Sequence, residues 1–217
     1  MNTISQLAKH VRDDNAAKIL GDIQDSPKSI LQVDEAGVPL CHLFALKKQL
    51  SLIENEIDAT ALEIIWDLQG WTLAHTAAAV GNAEPLKKAI SRNSHVLCWS
   101  DWQGRTPVHL AAQHAHLDQL DVDASHLTAR DNLQCTPLHT AALNSCLHQV
   151  ADKLTPEMLL MVNLKGETVL ELAKELSTTN KTASATLKNV AWEAEFLTDP
   201  KKRTVENVLQ HHGIKLK

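Results

Sequence analysis

Asp101-Trp102-Gln103-Gly104-Arg105-Thr106-Pro107-Val108-His109-Leu110-Ala111-Ala112 decides the fold, because the pattern recurs along the chain. Asp131-Asn132-Leu133-Gln134-Cys135-Thr136-Pro137-Leu138-His139-Thr140-Ala141-Ala142 follows it, and Asp67-Leu68-Gln69-Gly70-Trp71-Thr72-Leu73-Ala74-His75-Thr76-Ala77-Ala78 precedes it. A weaker copy opens the series at Asp34-Glu35-Ala36-Gly37, with His42 and Ala45, and a decayed one closes it at Asn163-Leu164-Lys165-Gly166, with Thr168 and Ala173. The Gly slots fall at 37, 70, 104, 134 and 166, so successive steps are 33, 34, 30 and 32 residues. In the first four copies a His stands five positions after the Gly slot and an Ala eight after it. Chance does not hold several residue types in register over four copies, and a period of this length is the signature of stacked supersecondary units.

Each motif residue has a mechanical reason. Gly supplies the positive φ of a tight turn. Thr caps a first helix by accepting a backbone N–H. Pro takes the first helical position, where its missing N–H costs nothing. The Ala pair thins one helix face so that neighbouring copies approach closely. The His offers two ring nitrogens with which to bridge backbone groups of adjacent copies. This pattern resembles the ankyrin-repeat family, over roughly residues 34–180. The resemblance implies an all-α solenoid of helix-turn-helix units with short β-hairpin fingers, in copies at 34–66, 67–100, 101–130, 131–162 and 163–180 onward. It also implies that Ala115-His116 and Gly81-Asn82 fill the slot where the family often carries Gly-His.

The departures from the pattern predict uneven stability. Gln134 replaces the turn Gly, at a cost on the order of 1 kcal/mol if the position keeps positive φ. Leu73-Ala74 replaces Pro-Leu, and Glu171 takes the His slot of the last copy. The short third step predicts a clipped second helix after His116, and Thr155-Pro156-Glu157 reads as a fresh helix start. Terminal copies must hide their outer faces from water. Residues 1–33 are expected to form a helical cap, with Leu7, Val11, Ile19 and Ile23 on one apolar stripe. Residues 181–217 are expected to form capping helices, with Trp192 buried and a break at Asp199-Pro200.

Composition narrows the function classes. Formal net charge is −5, from 26 acidic against 21 basic residues, which argues against nucleic acid or an anionic membrane as the main partner. The basic residues of the 181–217 tail read as a solvated helix face rather than a docking patch. Four cysteines without a CxxC pair predict reduced thiols and a cytosolic compartment. The N-terminus lacks the apolar core of a signal peptide, and no stretch is long and apolar enough to span a bilayer, so the chain is expected to be cytoplasmic unless a specialised machine exports it.

Twelve histidines invite a metal or catalytic reading. The repeat absorbs most of them: His42, His75, His109 and His139 fill the motif slot, and His116 fills the family's second His slot. His114 and His116 lie near Asp118, Asp121, Asp123 and His126, but on opposite sides of a helix or in its connecting turn, which disfavours a zinc site. Cys135 stands at a surface position of the motif and reads as a harmless thiol in preference to a reactive one. No catalytic residue, metal or cofactor is predicted.

A stacked solenoid offers a long face to a protein partner. Trp71, Trp102 and Arg105 fall on outward positions of two adjacent turns, and these residue types dominate binding hot spots. They form the expected contact core, flanked by Leu68 and Leu133, with Gln69, Gln103 and Asn132 beside them. Trp66 and Trp99 enter the same turns and either pack beneath them or join the exposed cluster. The expectation is a monomeric protein-interaction module acting as adaptor, scaffold or inhibitor. A host-directed bacterial effector using the same face is the alternative, and an enzyme carried by the C-terminal tail is disfavoured by the tail's length.

Overall fold

The computed structural model describes residues 3–65 and 69–177. The expected caps over 181–217, including Trp192, lie outside the described residues, as do Trp66, Asp67 and Leu68. The described chain is mostly helical. Its β structure is confined to isolated antiparallel bridges, pairing Val33 with Pro39, Ile65 with Thr72 and Val162 with Thr168.

The N-terminal stripe is split between two helices, α1 (Thr3–Arg12) and α2 (Ala16–Asp25), rather than carried by one. Asp14 adopts φ of 58° between them. The Asn15 N–H closes α1 on the His10 carbonyl at 3.0 Å, and its side chain caps α2 at Lys18 N. Local turn chemistry thus overrides a pattern that a continuous helix also fits. Leu7, Val11, Ile19 and Ile23 are all buried, as the stripe requires. Arg12 pairs with the buried Asp34, which ties this segment to the first copy of the motif.

Five helices start three residues after the five Gly slots: α3 (Leu40–Leu46), α5 (Leu73–Val80), α7 (Pro107–Gln113), α9 (Pro137–Leu143) and α11 (Val169–Ser177). Each packs on the next, α3 on α5, α5 on α7, α7 on α9 and α9 on α11. The small residues make this approach possible. Ala77, Ala78, Ala111, Ala112, Ala141 and Ala142 are all buried, and Leu73, Val108 and Leu138 lie in the same continuous apolar core.

The intervening helices are shorter and less regular: α4 (Ala59–Glu63), α6 (Lys87–Arg92), α8 (Ala124–Thr128) and α10 (Pro156–Leu159). After His116 a single 3-10 turn, Leu117–Gln119, precedes α8, which is where the third copy sheds its residues. Thr155 Oγ1 accepts the Met158 N–H at 3.4 Å and opens α10.

A second positive-φ slot recurs eleven residues after each of the first four Gly slots. Lys48, Gly81, Ala115 and Ser145 hold φ of 57°, 68°, 59° and 57°. The N–H of the following residue reaches back five positions, as in Gln49 to Phe44 at 2.8 Å and His116 to Ala111 at 2.8 Å. These are Schellman closures, which favour glycine; three of the four copies accept a side chain there.

Candidate functional site

In the first, third, fourth and fifth copies the opening turn is organised by its first residue. Oδ1 of Asp101 accepts the N–H groups of Gln103 and Arg105 at 2.9 and 2.8 Å. Asp131 does the same for Leu133 and Cys135, both at 2.8 Å. Asp34 serves Ala36 and Val38, and Asn163 serves Lys165 and Glu167. One side-chain oxygen therefore replaces the backbone acceptors that a tight turn lacks. The repeated Asp or Asn has this structural role, which the sequence reading left unexplained although its spacing from the Gly slot was visible.

Neighbouring turns are joined by backbone hydrogen bonds in constant register. Trp102 N donates to the Gln69 carbonyl at 2.9 Å, Asn132 N to Gln103 at 3.0 Å, and Leu164 N to Leu133 at 3.0 Å. The second residue of each turn thereby lies over the third of the turn before. A Cβ on Gly70 would stand 2.8 Å from Trp102 Cδ1, and one on Gly104 would stand 2.7 Å from the Asn132 nitrogen. Both glycines combine close approach with positive φ.

The expected contact residues separate into two groups. Trp71 is half-buried: its Nε1–H donates to Asp101 Oδ2 at 3.2 Å, and the Arg105 guanidinium lies 5.8 Å from its ring centroid. Arg105 in turn binds Asp101 through Nε at 2.9 Å and reaches Gln69 Oε1 at 3.4 Å. These three side chains brace the joint between two turns. Trp102 and Leu133, by contrast, are 69% and 63% exposed. Gln69, Gln103 and Asn132 are exposed beside them, with Asn132 Nδ2 held on the Trp102 carbonyl at 3.0 Å. Leu164 is 67% exposed on the next turn. It belongs with this group and was missed as a contact residue, although it occupies the same position of its turn as Trp102. No family model matches the chain, and no curated protein matches it. The site therefore rests on its own geometry.

Trp99 is half-buried against the core, with its ring edge-on to His95 at 5.5 Å. Leu68 and Trp66 fall outside the described residues.

The motif histidines are joints of the stack. His75 Nδ1 accepts the Thr72 N–H at 3.2 Å, and its Nε2 faces the Arg105 carbonyl at 3.1 Å. His109 repeats this with Thr106 N and the Cys135 carbonyl, both at 3.1 Å. An Nδ1 that accepts and an Nε2 that donates define a neutral ring. Burial accordingly holds His109 below the ordinary histidine range, against the carbonyl of Cys135 and the carboxylates of Asp131 and Asp101. His42 lacks a Thr partner in its own copy, because Pro39 fills that slot, and turns to Thr76 Oγ1 at 2.8 Å and the Ile64 carbonyl at 3.0 Å.

His114 is exposed at the end of α7, whereas His116, in the turn that follows, lays its ring against Gly81 at the end of α5 in the preceding copy. Among the described residues no three His, Cys, Asp or Glu side chains gather as metal ligands would. The four cysteines are unbridged. Burial pushes the thiols of Cys41 and Cys146 up to about 12 and about 11. Cys135 is raised by partial burial and by Asp131, so its thiol stays protonated where a nucleophile would ionise. No helix among the described residues is long and apolar enough to cross a membrane.

Proposed function

We propose that this chain is an ankyrin-type solenoid with short β-hairpin fingers, and that it binds a protein partner along the rim formed by those fingers. The observation carrying this reading is the exposure of Trp102, Leu133 and Leu164 on three consecutive, hydrogen-bonded turns. Exposed large apolar side chains in a contiguous row favour aggregation unless a partner covers them. Tryptophan is also the residue type most enriched at the energetic centre of protein interfaces. Trp71, Arg105 and Asp101 hold the turns in register, so the row is presented on a braced support.

The protein is proposed to act as a monomeric adaptor, scaffold or inhibitor in the cytoplasm, without catalysis and without nucleic acid as its target. The test is a paired affinity capture from lysate, using the intact chain and a Trp102→Ala/Leu133→Ala variant, with unfolding curves of both. The expected outcome is a partner recovered by the first and lost by the second at unchanged stability. Equal recovery of every captured protein by both chains overturns the proposal.

A further inference from the structure

We infer that the Leu164 end of this rim takes an acidic–apolar segment of the partner protein, in which Glu or Asp residues flank large aliphatic or aromatic side chains. The inference rests on the interaction reading above and adds the chemistry of the ligand.

The apolar half of the site comes from the junction of the fourth and fifth copies. Leu164 N donates to the Leu133 carbonyl at 3.0 Å, so the two backbones lie one interchain spacing apart, about 4.8 Å. Both leucines are exposed, and so is Val162, which leads into the fifth turn.

Charge supplies the other half. Exposed Arg130 is fixed across the same junction, its Nη1 donating to the Val162 carbonyl at 2.8 Å and to the Gln134 carbonyl at 3.2 Å. Carbonyls hold the guanidinium in place without neutralising it. Lys165 is exposed next to Leu164. Neither cation forms a salt bridge with a described residue. The carboxylates of the same two turns are spent inside them. Asp131 Oδ1 accepts the Leu133 and Cys135 N–H groups, and half-buried Glu167 accepts Asn163 Nδ2 at 2.9 Å.

The other turns of the rim lack this combination. Beside Trp102, Gln69 and Gln103 are neutral, and Arg105 is matched by Asp101 at 2.7 Å. On the first turn exposed Glu35 carries negative charge and accepts the Ser5 hydroxyl at 2.7 Å. Carboxylates of a bound segment are therefore attracted to the fifth turn and repelled from the first. Two cations on a chain of formal net charge −5 suit the few carboxylates of a peptide better than an anionic bilayer, which calls for a larger basic cluster.

The test is a selection of randomised displayed peptides on the full chain. Enriched peptides are then titrated against the chain and its variants, in parallel with vesicles of mixed phosphatidylcholine and phosphatidylserine. Expected are peptides rich in Glu and Asp beside Leu, Ile or Phe, and no binding of the vesicles. Affinity should fall about tenfold or more on Leu133→Ala/Leu164→Ala. It should fall about fivefold on Lys165→Glu, whose ammonium bonds no described residue. Neutral or basic peptides that depend on the two leucines would retain the interaction surface and overturn the acidic ligand. Vesicle binding lost on Lys165→Glu, with no peptide enriched, would replace the peptide by a membrane. Peptides indifferent to the leucine variant, or neither peptide nor vesicle bound, would overturn the surface and the ligand together.

Discussion

The third and fourth copies of the motif share a plan and differ in how firmly it is carried out. The turn of the third copy places Gly104 at φ of 78° and surrounds Asp101 with two backbone N–H groups, the Trp71 indole and the Arg105 guanidinium. The turn of the fourth forces Gln134 to φ of 58° and gives Oδ1 of Asp131 two backbone N–H groups. His109 reaches the Cys135 carbonyl across its junction, whereas the buried Nε2 of His139 finds no partner among the described residues. It faces the carbonyls of Glu167 and Met161 without reaching bonding geometry. The lesson is that one motif can be locally complete in two places and still couple its neighbours unequally. The coupling depends on residues outside the motif and on small displacements of the next turn.

The difference should be largest at the aspartates. Asp101→Ala removes a buried carboxylate and leaves Arg105, Trp71 and two N–H groups without their acceptor, at a cost of about 3–5 kcal/mol. Asp131→Ala removes two backbone bonds at a partly open site and should cost about 1–2 kcal/mol. Urea unfolding of both variants checks this, and equal losses would show that the extra partners of Asp101 add nothing. The histidines give a smaller contrast. His109→Ala should cost about 2–3 kcal/mol, because it strands the Thr106 N–H and the Cys135 carbonyl in the core. His139→Ala should cost about 1 kcal/mol less, the value of the bond that His139 does not make.

The same two rings predict how stability responds to acid. Both are held below the ordinary histidine value by burial. Between the folded and unfolded values the unfolded chain binds more protons, so stability rises with pH. The contribution is complete above about 6.5 and is lost as pH falls through the lower folded values. Denaturant midpoints measured between neutral pH and the acid limit of histidine titration should decline, and His109→Gln should flatten the decline. An unchanged slope in that variant would assign the acid sensitivity to other groups.

Much of the helical order is legible in the sequence, because it follows from spacing. The Thr, Pro and Ala slots each make a local demand that one residue type meets, and α7 and α9 begin where Pro107 and Pro137 require. The split at Asp14 was not legible, since Leu7, Val11, Ile19 and Ile23 suit one helix or two and the decision lies in the Asn15 cap. The candidate site was legible as a row of turns but not as a division of labour. Position in the motif says that Trp71 and Trp102 both lie on turns. Which ring is bound and which is open depends on Asp101 and Gly70, contributed by different copies. Leu164 was hidden by the decay of the copy around it, since its Glu171 replaces the histidine that marks the others.

Gln134 offers the smallest and sharpest probe of the contrast. Its φ of 58° places it in the left-handed region, where a side chain costs about 1 kcal/mol relative to glycine. The penalty is offset in part by the freedom that glycine adds to the unfolded chain. Gln134→Gly should therefore raise stability by at most roughly 0.5 kcal/mol. Gly104→Ala should lower it, since the new Cβ would meet Asn132 at 2.6–2.7 Å in a backbone conformation that already disfavours it. Paired thermal melts read the two opposite signs directly. If Gln134→Gly destabilises instead, the glutamine side chain contributes more at this turn than its backbone strain costs. The fourth copy would then be adapted to its conformation rather than weakened by it.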